Sequence, residues 1–252
     1  MKHLLPLLLL AALPAVHAAN AAPVLRFCSL DIDFAPVARV DGTGHYQYLL
    51  QLAARKAGVT IERKIAPRRR CLDEVRTGIV DGMIGAYSPE RTAIAAFPMS
   101  GEAPDVTKSF GAVRYYPYRR VASEVSWDGQ RFHGLDGSVG VESAFIFVTD
   151  RLRALGVPFD DGAKTLEQNM DKLRADRVDV VIGMDLEADR LVASRHAGRI
   201  ERAGMAFDLT PMYLMLSKQF HAQQPELAQR LWQAVQDARN SPAYKRYQQD
   251  HP

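Results

Sequence analysis

The chain has 252 residues, 47% of them hydrophobic and 24% charged, with 32 basic against 29 acidic side chains and a formal net charge of +3. That near-balance gives no electrostatic reason to expect nucleic acid or an anionic membrane surface as a partner. The length suits two modest lobes or one large domain.

Lys2 and His3 precede an apolar run, Leu4 to Leu13, that is too short to cross a bilayer and is broken by Pro14. Small residues follow at Val16-His17-Ala18. The segment reads as a secretory signal peptide over residues 1–18, with Ala19 and Ala22 as alternative cleavage positions. The mature body, about 234 residues, is therefore expected in a bacterial periplasm. Nothing later is long and apolar enough to span a membrane. Cys28 follows Leu-Arg-Phe, not small residues, so no lipid anchor is expected.

Val24–Ser29 reads as a strand, followed by a loop through Asp31-Ile-Asp-Phe-Ala-Pro36. Tyr46–Lys56 is helical, with Leu49, Leu50 and Leu52 inward and Gly58 as its stop. Val59–Ala66, Arg69–Thr77 and Val80–Ala86 then read as strand, helix and strand. This alternation implies parallel pairing with right-handed crossovers in an α/β fold. Ser88 and Pro89 look like the start of another helix, with Arg91 in its first turn. A cation there opposes the helix dipole, so Arg91 is a candidate to complete an anion site with the helix N–H groups.

After a connecting segment, Tyr115 to Arg120, a second cycle begins. Its parts are a strand Ser138–Val141, a helix Phe145–Leu155, a capping box at Thr165–Gln168 opening the helix Leu166–Ala175, and a buried strand Val178–Gly183. Met212–Ser217 returns as a strand, followed by helices Pro225–Arg239 and Ser241–Gln249. Ligands of such sheets bind beyond the carboxyl ends of the strands. The loops there are Asp31–Pro36, Pro67–Arg70, Tyr87–Arg91, Glu142–Phe145 and Met184–Glu187. Cys28 and Cys71 fall on a strand and on the first turn of a helix that adjacent strands bring together. They are expected either as a disulfide, which the oxidising compartment favours, or as two buried thiols.

Several of these pieces, in this order, resemble the bacterial extracellular solute-binding proteins of family 3, periplasmic receptors for polar amino acids. Asp31–Pro36 is similar to that family's Asp-x-x-Tyr-Ala-Pro loop. Gly78–Arg91 is similar to its Gly-x-x-Asp strand with Thr-x-x-Arg after it. Leu135–Val141 is similar to its Leu-x-Gly-Lys-x-Val-Gly-Val entry into the second lobe, and Leu214–Tyr247 to its closing strand and helices. The resemblance implies a two-lobed type II periplasmic-binding-protein fold, each lobe a mainly parallel sheet flanked by helices, with hinge crossovers. On it the first lobe is 19–112 with 212–252, and the second is 113–211.

The resemblance also implies roles. Arg91 matches the Arg that grips a ligand carboxylate, Ser88 a Thr that shapes that turn, and Phe34 a stacking aromatic. Asp31 matches an acid that faces a distal ligand charge. Arg68 stands where many members have a second aromatic, and Ala86 where many have a hydroxyl on the carboxylate. The second-lobe acid is expected at Met184, and the nearest carboxylate is Asp185. Tyr87, Ser143 and Phe145 complete the candidate ligand-binding set; each also has a plain structural reading, as a sheet cover or a helix start. Arg68, Arg69 and Arg70 at a helix start either face an anionic ligand or are solvated.

No nucleophile elbow, His-Glu-x-x-His or phosphate loop is present, and the histidines lack metal-ligand spacing. The expectation is a monomeric binding protein without cofactor or metal. It closes on a small polar solute, an amino acid or related carboxylate, for an ABC permease or a sensor ectodomain. The alternative is an enzyme on the same fold, a lyase similar to the cyclohexadienyl dehydratases.

Overall fold

The computed structural model describes residues 22–143 and 145–251. The expected signal peptide, residues 1–18, lies outside the described residues. Strand β1 (Val24–Leu30) pairs in parallel with β2 (Thr60–Ala66) and β3 (Gly82–Ala86). Helices α1 (His45–Ala57) and α2 (Arg68–Thr77) make the two crossovers. Gly58 and Gly78 end them in the left-handed region, at φ 70° and 72°, where a side chain would be strained.

A second parallel group joins strands Phe159–Ala163, Val139–Glu142 and Val180–Met184. Helices α3 (Ile146–Ala154) and α4 (Leu166–Arg174) cover it. Thr165 caps α4 by accepting from Gln168 N at 3.2 Å, and Gln168 Oε1 reaches back to Lys164 N at 2.9 Å. Helix α5 (Asp185–Leu191) follows the last of these strands directly.

Two long strands, Gly111–Arg120 and Asp208–Ser217, lie between the groups and join them into one ten-stranded sheet. They pair with each other antiparallel from Gly111↔Met212 to Tyr115↔Asp208. Beyond that overlap each departs to a different group: Tyr115–Arg119 runs against Val180–Met184, and Met212–Leu216 runs against β3. The segment expected as a connector at Tyr115–Arg120 is thus half of a central strand. Its Pro117 lacks an N–H, yet its carbonyl accepts from Ala203 N at 2.8 Å.

Helices α6 (Lys218–Gln223), α7 (Pro225–Arg239) and α8 (Pro242–Asp250) close the chain. Leu227, Leu231, Trp232 and Val235 of α7 and Leu49, Leu50 and Ala53 of α1 belong to one buried cluster with Leu25 and Phe27 of β1. The spacing of these residues, three and four apart, is why α1 and α7 face the sheet. Trp232 donates Nε1–H to Leu214 O at 2.8 Å, so its burial leaves no polar atom unmet.

Two aspartates hold the strand starts. Asp81, next to β3, accepts from Arg26 N at 2.7 Å and Arg26 Nε at 3.1 Å. Asp179, in the same position in the second group, accepts from Gly137 N at 2.6 Å. Cys28 of β1 and Cys71 of α2 form a disulfide, with Cα atoms 5.6 Å apart. It ties the first turn of α2 to the sheet within a cluster that also holds Val75, Met83, Tyr213 and Met215.

One helix is not as expected. After Ser88 and Pro89 the chain makes a single 3-10 turn, Glu90–Ala93, not an α-helix. Ala95 and Ala96 then pair with Ser217 and Leu216, which pulls the backbone back into the sheet.

Candidate functional site

A cavity of about 110 Å³ opens between the two strand groups, at the carboxyl ends of β1 and β3. Phe34, Arg68, Arg91, Tyr115, Phe145 and Met184 line it, with Phe147 and Met212 beside them. The loop carrying Phe34 is fixed by paired backbone bonds, Phe34 N to Ala38 O at 2.8 Å and Ala38 N to Phe34 O at 3.0 Å. Phe145 meets Phe34 edge-on at 6.4 Å, Tyr115 at 5.8 Å and Phe147 at 5.8 Å, so the aromatic wall spans both groups.

Arg91 is 7% exposed and lies on the 3-10 turn. Ser88 Oγ accepts from its backbone N at 3.3 Å, and its Nη1 donates to Ala86 O at 2.9 Å. Its Nε is buried and has no hydrogen-bond partner among the described residues. Burial, reinforced by the neighbouring Arg68 charge, lowers the Arg91 pKa to about 10, so the side chain stays cationic at neutral pH. A buried guanidinium with an open N–H beside a cavity is chemically prepared for an anion.

Arg68, at the start of α2, crosses the cleft. Its Nη1 donates to Ser143 O at 2.6 Å, and its guanidinium carbon sits 4.0 Å from the Phe145 ring centroid and 5.5 Å from that of Phe34. Burial lowers its pKa while Glu142, the principal opposing charge, raises it. Arg69 Nη2 reaches Ser143 Oγ at 3.4 Å, and Arg70 pairs with Glu74 at 2.9 Å within α2. Arg68 and Arg69 therefore both reach Ser143, and Arg70 stays within α2.

Two acids stand near Arg68. Glu142 ends the strand Val139–Glu142 and is 2% exposed, and Glu187 lies in the first turn of α5. Burial raises the Glu142 pKa to about 7 and the Glu187 pKa to about 8, with Glu142 adding to the second shift and Arg68 opposing both. Each carboxyl has one buried oxygen without a hydrogen-bond partner among the described residues. Burial thus favours the protonated form of both carboxyls.

The structure brings Phe34, Arg68, Arg91 and Phe145 to the cavity, with the Ser143 carbonyl on Arg68. It places the other candidates elsewhere. Tyr87 packs edge-on against Phe97 at 5.3 Å, and Ser88 serves the Arg91 turn. Asp31 is exposed on its loop and reaches Arg68 only through its charge. Asp185 accepts from Leu186 N at 2.8 Å and lies 3.9 Å from Arg114, outside the cavity lining. The chain becomes helical at Asp185, so strand alternation stops one residue earlier and does not set its direction. Sequence reasoning did not single out Tyr115, Phe147, Glu142 or Glu187; the last two were named only as loop ends, and an acid in the first turn of a helix ordinarily reads as a dipole partner.

No family profile and no curated protein sequence matches the chain. Solved structures do. A histidine kinase sensor domain with similarity to periplasmic binding proteins superimposes with a TM-score of 0.72 at 14% identity, covering 92% of this chain and 97% of its own. The GluR0 ligand-binding core from Nostoc punctiforme in complex with L-glutamate gives 0.68 at 14% identity, over 90% and 98%. An ancestral arginine-binding protein bound to arginine gives 0.68 at 16% identity, over 92% and 99%. The chain has the two-lobed α/β fold of the type II periplasmic binding proteins.

Proposed function

We propose that this protein is exported to the periplasm and binds a small carboxylate-bearing solute between its lobes, as a monomer that closes on the ligand. The lobes are residues 19–112 with 212–252, and 113–211, hinged where Gly111–Arg120 pairs with Asp208–Ser217. The observation that carries this reading is Arg91: a buried guanidinium lining the cavity, with its Nε unpartnered among the described residues. The ligand carboxylate takes that N–H, aromatic rings from both sides enclose its body, and the closed form is selected. Delivery to an ABC permease is the simplest use of such closure, and the sensor domain of the same fold makes signalling to a membrane kinase the alternative use.

Thermal-shift and calorimetric titration with a panel of amino acids and organic acids tests this reading. A true ligand at 100 times its Kd stabilises the fold by about 2.7 kcal/mol. Arg91→Ala removes that gain. If no acid shifts the melting point, or if Arg91→Ala binds as tightly as wild type, the reading is wrong.

One observation favours a second reading. Glu142 and Glu187 are buried near Arg68 with their carboxyl pKa values raised toward neutrality, the direction a general acid in a dehydratase needs. Incubation with a cyclohexadienyl acid decides it: aromatisation lost in Glu142→Gln and Glu187→Gln supports an enzyme, and an unchanged substrate excludes that reaction.

A further inference from the structure

Among the described residues the cavity is lined by two guanidiniums and by no carboxylate. One guanidinium, Arg68, is already matched by the Ser143 carbonyl, two aromatic faces and the Glu142 charge. Among the described residues the side chain of the other, Arg91, has a hydrogen-bond partner only in the Ala86 carbonyl. The acid whose charge acts on it, Asp150, is held by Arg153 at 2.5 Å. The cleft thus offers one unmatched positive charge. The rest of the wall is mainly apolar, Phe34, Phe145, Phe147, Met184 and Met212 among it, with Ser29, Tyr46, Gln47 and Tyr115 as its uncharged polar side chains.

We infer that the ligand is a small apolar monocarboxylate without an α-ammonium group, bound with its carboxylate on Arg91 and its hydrocarbon body among the aromatic and methionine side chains of the two lobes. This rests on the carboxylate reading above and narrows it. The reason is charge matching. An amino acid carries an ammonium close to its carboxylate, and closure would bury that ammonium beside two guanidiniums with no anion on the cavity wall. A buried, unpaired charge is strongly disfavoured. The monocarboxylate brings only the charge that Arg91 lacks. The buried acids Glu142 and Glu187 do not supply the missing partner, because neither lines the cavity and Arg68 shares their field.

Matched pairs test this directly: propionate with alanine, 3-methylbutanoate with valine, and 3-phenylpropionate with phenylalanine, each titrated calorimetrically at pH 7. At least one carboxylate is expected to bind about 100-fold more tightly than its amino analogue, the scale on which a site refuses an unpaired polar group. Met184→Asp puts a carboxylate on the cavity wall and is expected to move the preference toward the amino acid; the wild-type comparison stands alone if that variant does not fold. Amino acids binding as tightly as their matched carboxylates would overturn this inference while leaving the carboxylate reading intact. If neither class binds and Arg91→Ala behaves as wild type, both are overturned.

Discussion

Replacing Arg68 by Met tests what keeps the two strand groups together. The guanidinium makes a charge-assisted hydrogen bond of 2.6 Å to Ser143 O and stacks 4.0 Å from Phe145. A hydrogen bond to a charged donor contributes about 1.5–3 kcal/mol. A desolvated cation over an aromatic ring adds about 1–2 kcal/mol. Both bonds cross the cleft, so losing them removes roughly 3 kcal/mol from closure, a factor of about 150 in the closed-to-open ratio. Met keeps the apolar stem against Phe34 and Phe145, which confines the change to the charged end. Glu142 loses its counter-ion in the variant, and the double variant Arg68→Met/Glu142→Gln removes that complication. Hydrogen exchange of the segment 142–149, followed by mass spectrometry without ligand, reads the opening directly. An acceleration near 100-fold is expected in both variants. Less than a threefold change would show that Arg68 does not hold the cleft shut, and the energetic argument would fail.

Other predictions concern the frame around the site. Breaking Cys28–Cys71, whose sulfurs close a loop across 43 positions, should cost about 4 kcal/mol on the chain-entropy account, or roughly 10 °C in Tm. Scanning calorimetry with and without reductant checks it, and an unchanged Tm contradicts it. Glu142 and Glu187 hold their protons more tightly folded than unfolded, so stability falls as pH rises from the ordinary glutamate range through about 8. Melting points from pH 5 to 9 should drop less in Glu142→Gln/Glu187→Gln than in wild type; parallel curves would refute the assignment. Trp232→Phe strands the Leu214 carbonyl and should destabilise the fold by about 1–3 kcal/mol in urea while leaving ligand affinity within twofold.

Much of the frame was legible in the sequence because apolar spacing and stop signals agree there. Leu49, Leu50 and Gly58 mark α1, Thr165 and Gln168 mark α4, and Leu227 to Val235 mark α7. The strand Gly111–Arg120 was hidden because Pro117 and a run of tyrosines and arginines look like a connector. Its burial comes from neighbours 61 to 101 residues away, and the paired strand Asp208–Ser217 was read only from Met212. At the site, Arg91 was conspicuous as a cation out of place. Asp185 attracted attention through the resemblance, yet an acid at the first helical residue serves its own backbone. Glu142 and Glu187 become a pair only through tertiary folding, since no local rule relates a strand end to a helix turn 45 positions later.

The overlap of Gly111–Tyr115 with Asp208–Met212 is a two-stranded ribbon through which both groups are coupled. A ribbon of this kind behaves as a flexure: it bends and twists across its thin direction, while its ladder bonds resist sliding in the plane. On the proposed two-lobe closure, opening at the cavity follows a hinged swing, not a lateral slip. The arms meeting this ribbon carry Tyr115 and Met212 at its ends, and both side chains line the cavity. On that closure a ligand in the cavity presses on the bending element itself, so occupancy and lobe angle are read by the same few residues.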